Sequence, residues 1–399
     1  MYHPSKKIIK KYADVLVNYA LNSGKGVKAG EVVFVQVPEY AKPLLIELRN
    51  TILKAKAHPI IQFIPDGMDR DFFQFANPEQ IAFFPEKIMK GRIEQIDHTI
   101  FIIAETDKHE LEGIDPKMIM DKSKAFKPYM KWRNEKENKG KYSWTLGLYG
   151  TPASAKEAKM TEKEYWQEII KACYLNTKNP VETWKKIQSE VDRVKDKLTS
   201  LKIEKLNVKS KNTDLTVYLG KNRRWLGGSG KNIPSFEVFI SPDCRYTEGH
   251  IFFYQPLYRY GNLIKDIYLE FKDGRVVKVK AKKGQNILRQ MISVENADRV
   301  GEFSLTDSRL SKITKFMAET LFDENIGGKY GNTHIALGSA YKDSYTGDPS
   351  KVSKKQWKEF GYNESVVHTD IISTENRVVT AWLPSGKQIV IYKDGKFTV

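Results

Sequence analysis

The sequence predicts an α/β N-terminal domain with a largely parallel sheet, followed by an α+β, strand-rich C-terminal domain. The chain of 399 residues is longer than one hydrophobic core usually serves. Helical patterns alternate with short apolar runs over the first 110 residues, whereas alternating strands and Gly-containing turns dominate after about residue 202. We therefore expect an N-terminal domain over residues 1–200 and a C-terminal domain over residues 201–399.

The N-terminal half is predicted to alternate helices with strands, which is typical of a parallel sheet. The predicted helices cover residues 5–23, 40–56, 161–175 and 180–201, and the predicted strands cover residues 32–37, 59–64 and 100–104. In the last helix, Pro180 lies near the start, and apolar residues follow at spacings of three or four, at Trp184, Ile187, Val191 and Val194.

The C-terminal half is predicted to consist mainly of β-hairpins. Leu215, Val217 and Leu219 recur at every second position, as in a half-buried strand. Asp273-Gly274 separates two apolar runs, and Asp394-Gly395 does the same near the C-terminus, which is typical of tight hairpin turns. One helix, at about residues 308–322, is predicted to interrupt this pattern.

Composition excludes several classes of protein. No stretch approaches the roughly 18 to 20 uninterrupted apolar residues of a membrane helix, so no contact with a membrane is predicted. The basic N-terminus lacks a small-residue cleavage site, which argues against export. The two cysteines, Cys173 and Cys244, are too few for a disulfide scaffold and fit a reducing compartment. We therefore predict a cytoplasmic protein.

The net charge of +17 leaves two interpretations open. Clustered Lys and Arg bind nucleic acid by releasing counterions from its phosphates, so a basic nucleic-acid-binding protein with structural metal residues is one alternative. The excess here is mostly lysine, and it is dispersed along the chain with acids interleaved in most neighbourhoods. A solvated basic surface is the favoured interpretation, and no nucleic-acid partner is expected.

Two of the seven histidines occur in segments that could bind a metal ion. His334 opens the segment His-Ile-Ala-Leu-Gly-Ser-Ala-Tyr, and His368 lies in Val-Val-His-Thr-Asp. His368 and Asp370 project to the same side if their segment is an extended strand, which would place an imidazole and a carboxylate around one ion. Taken alone, this pair fits a structural hydrogen bond better than a metal site.

Three glutamates lie in apolar or Gly-bounded surroundings. Glu237 follows Pro-Ser-Phe, Glu302 follows Arg-Val-Gly, and Glu324 follows Leu-Phe-Asp. A buried carboxylate is costly unless it is paired, hydrogen-bonded or bound to a cation. Each of the three, taken alone, fits a helix cap or a charge at the rim of a fold better than a metal site.

Six segments in order carry a resemblance to a known family. They are TDLTVYLG, RRWLGGSGKNIPSFEVFISP, GEFSL, TLFDEN, HIALGSAY and VHTD. Together they resemble the thermophilic aminopeptidase T group of metallopeptidases, which includes aminopeptidase S and PepS-type enzymes. The resemblance extends over most of the chain and is strongest from Thr213 to Asp370.

The resemblance implies a metal-dependent aminopeptidase, a homodimer that removes single residues from short peptides with a free N-terminus. Two divalent ions per subunit, zinc, cobalt or manganese, are implied in the C-terminal domain. The residues that the resemblance implies as metal ligands are Glu237, Glu302, Glu324, His334, His368 and Asp370. The link between Glu324 and His334 is longer than in some members, so the place of Glu324 relative to the ions stays open.

The implied chemistry needs two cations about 3.5 to 4 Å apart that share one water and lower its pKa. Mixed carboxylate and imidazole ligands suit zinc, cobalt or manganese better than calcium or magnesium. Glu302 or Glu324 would move a proton to the leaving amine, and Tyr341 would either donate its hydroxyl to the oxyanion or pack under the site. A two-metal hydrolase that acts on another amide or on a phosphoester is the remaining alternative.

Overall fold

The computed structural model describes residues 2–399, which fold into two compact units. The first unit contains the chain up to Gln188 together with Gly228–Ser235 and Met317–Leu321. The second unit contains Ser189–Gly227, Phe236–Phe316 and Phe322–Val399. None of the helices within residues 2–399 combines the length and the apolarity that crossing a bilayer requires.

The helices are short, apart from one of 21 residues, α11. The α-helices are α1 (Lys6–Val15), α2 (Leu21–Gly24), α3 (Lys42–Lys54), α4 (Met68–Phe75), α5 (Pro78–Ala82), α6 (Glu86–Gln95), α7 (Pro116–Ala125), α8 (Lys127–Asn138), α9 (Pro152–Glu157), α10 (Glu162–Ala172), α11 (Pro180–Ser200), α12 (Gln285–Ile292), α13 (Thr320–Asp323) and α14 (Lys354–Glu359). A π-helical turn, Leu16–Ala20, joins α1 to α2. Short 3₁₀ turns cover Glu39–Ala41, Lys342–Ser344 and Pro349–Lys351.

The strands divide between a parallel set and an antiparallel set. They are β1 (Val32–Pro38), β2 (His58–Ile64), β3 (His98–Ile103), β4 (Ser143–Leu148), β5 (Lys205–Lys209), β6 (Asp214–Tyr218), β7 (Leu226–Gly227), β8 (Asn232–Ile233), β9 (Glu237–Ile240), β10 (Glu248–Phe253), β11 (Leu257–Arg259), β12 (Asn262–Ile264), β13 (Ile267–Lys272), β14 (Arg275–Lys280), β15 (Val300–Thr306), β16 (Asn332–Gly338), β17 (His368–Ser373), β18 (Val378–Trp382), β19 (Gln388–Lys393) and β20 (Lys396–Phe397).

The first unit is built on a parallel sheet of five strands, in the order β2-β1-β3-β4-β8. Strands β1 and β3 are mostly apolar and buried, as expected of parallel strands covered on both faces. The hydroxyl of Tyr12 in α1 donates to the carbonyl of Leu148 and accepts from its amide, which fixes this helix against β4. The predicted α/β domain with a parallel sheet is confirmed.

The second unit contains an antiparallel sheet of eight strands, in the order β14-β13-β10-β6-β5-β18-β19-β20. Asp273-Gly274 joins β13 to β14, and Asp394-Gly395 joins β19 to β20. Both residues of each turn have positive φ, between 48° and 77°, which is the conformation that favours Asp-Gly in two-residue hairpins. Both predicted hairpins are confirmed.

A second antiparallel sheet in the same unit has the order β17-β16-β15-β9-β7. Every residue of its central strands β15 and β16 is buried. A small pair, β11-β12, completes the strands of this unit. The five-stranded antiparallel sheet is the part of the fold that carries the candidate site.

The helix predicted at about residues 308–322 is wrong, because only α13 (Thr320–Asp323) forms there. Tertiary contacts take up the backbone groups that a helix would pair internally. The carbonyl of Ile313 accepts from the amides of Gly327 and Gly328, and the amide of Ser308 donates to Gly395. The prediction also missed α12 and α14, which are too short to show a clear helical period.

Candidate metal centre

The register of the second antiparallel sheet brings three predicted residues to one face. Glu302 on β15 lies opposite Ala336 on β16, which in turn lies opposite Asp370 on β17. His334 is two residues before Ala336 and therefore projects to the same face as its neighbours. A carboxylate from each outer strand and an imidazole from the middle strand thus meet on one surface.

Two more predicted ligands, His368 and Glu237, join this face from the first residues of β17 and β9. His368 is two residues before Asp370 on β17, and the expectation that the two side chains project together is confirmed, with Nε2 and Oδ1 3.6 Å apart. Glu237 begins β9 and lies opposite Thr306, which is four residues after Glu302 on β15. Because Thr306 and Glu302 are an even number of residues apart on β15, their side chains lie on the same side of the sheet.

These five side chains form two overlapping groups of three. The first triplet is Glu237, Glu302 and His334, and the second triplet is Glu302, His368 and Asp370. Within each triplet, one ligand atom from every residue lies within 4.8 Å of the others. Oε1 of Glu302 lies 3.1 Å from Nε2 of His334, and its Oε2 lies 3.8 Å from Nε2 of His368. The two oxygens of Glu302 therefore face different histidines, His334 of the first triplet and His368 of the second.

Each histidine is oriented by a backbone carbonyl on its other ring nitrogen. Nδ1 of His334 lies 3.2 Å from the carbonyl oxygen of Glu324, and Nδ1 of His368 lies 2.8 Å from that of Ser339. A carbonyl can only accept, so both Nδ1 atoms carry protons and both Nε2 atoms face the carboxylates. This is the arrangement by which proteins commonly present the second nitrogen of a histidine to a metal ion.

Burial and like charges hold protons on part of this cluster. Burial raises the pKa of Glu302 to about 7, an effect that the hydrogen bond to His334 opposes and the charges of Glu237 and Asp370 reinforce. Burial and the same two carboxylates raise the pKa of Glu324 well above its usual range. The main physical cause is that the interior solvates these charges poorly, and repulsion between the closely packed carboxylates adds to it.

The histidines titrate at higher pH because the acids face them. Burial by itself lowers the pKa of His368, but the charge and hydrogen bond of Asp370 raise it to about 9. The reverse holds for Asp370: burial opposes ionisation, yet the charge and hydrogen bond of His368 lower its pKa to about 2. Glu237 and Glu302 likewise outweigh burial at His334 and raise its pKa well above its usual range.

The donor set fits divalent cations. Glu237, Glu302, Glu324 and Asp370 supply four carboxylates to a cluster that also contains the imidazoles of His334 and His368. When all are deprotonated the acids carry four negative charges, which two divalent ions would neutralise. In addition, Ser304 lies opposite His334 on the same face, and its buried hydroxyl has no hydrogen-bond partner among the described residues. Oxygen and imidazole donors together suit zinc, cobalt or manganese.

Two other predicted residues lie at the edge of these triplets. Tyr341 is half-buried, and its ring packs edge-on against the ring of His368, with centroids 5.0 Å apart. Burial raises the pKa of the Tyr341 hydroxyl well above its usual range, and the charges of Glu302 and Asp370 reinforce this effect. Glu324 is buried next to the first triplet but belongs to neither group, and it touches His334 through its backbone carbonyl.

Sequence reasoning missed the polar residues that support the ligands. Asn325 and Asn332 are fully buried and hydrogen-bond to the turn around Glu324. Asn325 lies within the segment TLFDEN, so a signal was present, but side-chain amides in turns are too common to single out. The carbonyl of Ser339 carries no signal in the sequence, because a backbone group belongs to every residue.

Comparisons with known proteins identify the family of this chain. A family model described as "Thermophilic metalloprotease (M29)" matches residues 5–397. The chain is 27% identical to Aminopeptidase PepS of Streptococcus thermophilus, over 99% of this chain and 98% of that protein. It is 28% identical to Aminopeptidase T of Thermus aquaticus, over 74% of this chain and 76% of that protein.

A solved structure has the same fold. Wild-type AmpT from Thermus thermophilus superposes with a TM-score of 0.84, at 24% identity, over 99% of this chain and all of that one. The match confirms the architecture, and the family model covers nearly the whole chain. The resemblance seen in the six sequence segments is thereby confirmed, and the chain belongs to the M29 family of thermophilic metalloproteases.

Proposed function

We propose that this chain is a metal-dependent aminopeptidase that hydrolyses the N-terminal residue from short peptides. The observation that supports this most is the carboxylate of Glu302, which presents one oxygen to each of two ligand triplets. The bond that is cut is inferred from the similar proteins, which bear the names Aminopeptidase PepS and Aminopeptidase T.

The proposed cofactor is a pair of divalent ions per subunit, zinc, cobalt or manganese. The first triplet would hold one ion and the second triplet the other, with Glu324 as a further ligand close to the first. When bound, such a pair lowers the pKa of a water molecule and polarises the peptide carbonyl. The shared carboxylate and the charge of the four acids are what favour two ions over one.

Glu302 would carry the proton in the reaction. Its carboxylate belongs to both triplets, so it lies where it can accept a proton from the attacking water and return one to the leaving amine. Tyr341 would donate a hydrogen bond to the carbonyl oxygen as that oxygen gains charge. The high pKa of its hydroxyl keeps the proton in place, and packing against His368 holds the ring beside the second triplet.

An exopeptidase must recognise a free N-terminus. The α-amine of a peptide is partly neutral near pH 7 to 8. It can approach the cluster of carboxylates, whereas a peptide with an extra acidic group there would be repelled. An acetylated N-terminus has lost both the lone pair and the charge of the amine, so it offers the acids of this site nothing equivalent. We infer that blocked peptides are not substrates.

The direct test measures release of free amino acids from a set of short peptides and their N-acetylated counterparts. We expect cleavage of the free peptides, its abolition by chelator, and recovery with zinc, cobalt or manganese. Elemental analysis of the active protein is expected to give two ions per chain. Cleavage of the acetylated peptides, or full activity in excess chelator, would contradict the proposal.

We also propose that the protein is cytoplasmic and forms a homodimer. Both cysteines are free and buried, which fits a reducing compartment. In the first unit, a groove lies between α3 and the edge strand β2. It is lined by Lys42, Leu45, Ile46, Arg49, Ile61 and Phe63. Exposed apolar side chains beside an unpaired strand edge favour pairing with a second copy of this chain.

A further inference from the structure

Glu237 and His334 belong to the first triplet and not to the second. The turn that follows α13 contacts the two segments that carry these ligands. This turn consists of Glu324, Asn325 and Ile326, and we call it the 324–326 turn. Its neighbours in space are the segment that ends in Glu237 and the strand β16 that carries His334. These two ligands are 97 residues apart in sequence (334 minus 237), so no local interaction can hold them together.

Asn325 connects the turn to Glu237. Its side chain is fully buried, and its Oδ1 accepts the backbone amide of Phe236, at 2.6 Å. Phe236 is the residue directly before Glu237, so this bond fixes the start of β9. The Nδ2 of the same amide lies 3.3 Å from Oε1 of Glu324 and donates to it. One side chain therefore restrains two carboxylate-bearing segments at once.

Asn332 connects the turn to His334. It lies two residues before His334 on the same face of β16, and it is fully buried. Its Nδ2 donates to the carbonyls of Glu324, at 2.9 Å, and Ile326, at 2.8 Å. The carbonyl of Glu324 is also the acceptor for Nδ1 of His334. Asn332 thus holds in place the oxygen that orients the imidazole.

The orientation of the Asn332 amide is determined by its partners. Two carbonyl oxygens can only accept, so the amide nitrogen must face them. The Oδ1 has no hydrogen-bond partner among the described residues, and turning the amide over would place that oxygen against both carbonyls. Leaving a buried acceptor unpaired is unfavourable, which indicates that the two donated bonds stabilise this orientation of the amide.

We propose that Asn325 and Asn332 are positioning residues that hold the first triplet in its ion-binding geometry, and that the second triplet does not depend on them. This inference rests on the proposed function, because it takes the triplets to be ion sites. The ligands that belong only to the second triplet, His368 and Asp370, lie on β17, and His368 is oriented by Ser339 instead. The loss of either asparagine should therefore weaken the binding of one ion and leave the binding of the other unchanged.

The test replaces each asparagine by aspartate and measures ion binding rather than activity alone. Aspartate has the same shape, but at position 332 it turns an oxygen toward two carbonyls, and at position 325 it places a second charge beside Glu324. Titration of the metal-free protein with cobalt, followed by visible absorption, resolves the ions that are bound. We expect one of the two equivalents to bind about 10-fold or more weakly in Asn325→Asp and Asn332→Asp, with the other unchanged.

Asn207→Asp is the matched control. Asn207 is a half-buried amide of β5 in the eight-stranded sheet, where it donates to Asp214 and Thr216, and its exchange should leave both cobalt equivalents unchanged. Far-UV circular dichroism checks that each variant is folded. If an aspartate variant is not folded, a serine at the same position replaces it, because a hydroxyl is neutral and smaller but cannot reach both partners.

The outcomes separate this inference from the proposed function. Unchanged binding of both equivalents, weakening of both together, or failure of the serine variants to fold would overturn the positioning role. A wild-type chain that binds two cobalt ions but cleaves no peptide would overturn the aminopeptidase proposal, while selective weakening in the variants would still support the positioning role.

Discussion

The buried carboxylate of Glu302 can be ionised only if its surroundings compensate its charge. It is 3% exposed, and the carboxylates of Glu237 and Asp370 raise its pKa in addition to burial. An ionised group in such a place is stable only when cations or hydrogen-bond donors compensate its lost hydration. The two imidazoles supply part of that compensation through hydrogen bonds, and bound divalent ions would supply the rest.

Replacing Tyr341 by phenylalanine tests its role as a donor. The variant keeps the ring that packs against His368 and removes only the hydroxyl. We expect kcat to fall by about 100-fold to 1,000-fold, because a donor to a developing oxyanion acts mainly in the transition state. KM and the number of bound ions should change little. Steady-state kinetics and elemental analysis of the same preparation provide the measurement.

Tyr246→Phe is the control for this variant. Tyr246 is 49% exposed and lies outside both triplets, so its loss should leave kcat unchanged. If Tyr341→Phe instead loses bound metal together with its activity, the hydroxyl supports the structure of the site rather than the transition state. Wild-type kcat in this variant would show that the hydroxyl has no part in the reaction.

At the scale of strands, the sequence predicted only those contacts that depend on short-range spacing within one strand. His368 and Asp370 share a face because both lie on β17 two residues apart, and that follows from strand geometry alone. The approach of Glu237 to His334 depends instead on β9 and β16 flanking the same strand, β15. The helix predicted at about residues 308–322 failed for the same reason, since Ile313 pairs with Gly327 and Gly328 from outside its own segment.

Gly301 determines how closely β15 approaches the end of β16. A Cβ at this position would lie 2.4 Å from the carbonyl oxygens of Gly338 and Ser339, both of which belong to the backbone. The carbonyl of Ser339 also accepts from Nδ1 of His368. Gly301→Ala is therefore expected to destabilise the protein by about 1 to 3 kcal/mol and to weaken ion binding at the second triplet. Urea unfolding and cobalt titration measure the two effects.

Gly91→Ala is the matched control, because Gly91 lies within α6 and a Cβ there meets no atom within 4 Å. Alanine is the better helix former, so this variant should be more stable by up to about 1 kcal/mol. Equal stability of Gly301→Ala and the wild type would mean that the two strand ends can separate at no cost, contrary to the expectation.

At the scale of the whole molecule, the metal-free protein is expected to lose stability as pH rises from about 6.5 to 9. The folded state raises the pKa of His368 to about 9, since Asp370 outweighs the effect of burial. Such a group stabilises the fold fully below its unfolded pKa of about 6.5, and the contribution disappears as pH passes 9. Glu302, raised to about 7 by burial, acts in the same direction at lower pH.

Thermal unfolding in chelator at several pH values between 6 and 9.5 measures this dependence. The metal-loaded protein should show a flatter profile, because bound ions already keep the ligands deprotonated. His368→Asn in its metal-free form is the control, and it should lose the part of the slope near pH 9. A melting temperature that rises with pH in the metal-free wild type would contradict the assigned shifts. Asp370, with a pKa of about 2, contributes only in acid, outside this window.

The proposed homodimer makes a separate prediction about the edge of the parallel sheet. Ile61 and Phe63 on β2 are 41% and 42% exposed, and they line the groove beside α3. Lysine at both positions should convert the dimer into a monomer, since buried ammonium groups would face each other across the strand edges. Light scattering over a range of concentrations gives the mass. Phe75→Lys, at an 83% exposed position on α4, should leave the dimer intact, whereas a monomeric wild type would contradict the proposal.

The sequence by itself determined the class of each half of the chain, the Asp-Gly hairpins, the pairing of His368 with Asp370 and, through six ordered segments, the family. These features depend on local spacing or on direct comparison of residues. Only the tertiary structure decided that Glu302 turns one oxygen to each histidine, that Glu324 approaches His334 through its carbonyl, and that Asn325 and Asn332 support the first triplet. The physical reason is that these contacts join strands and turns distant in sequence, where the register of a sheet and not the spacing of residues sets which atoms meet.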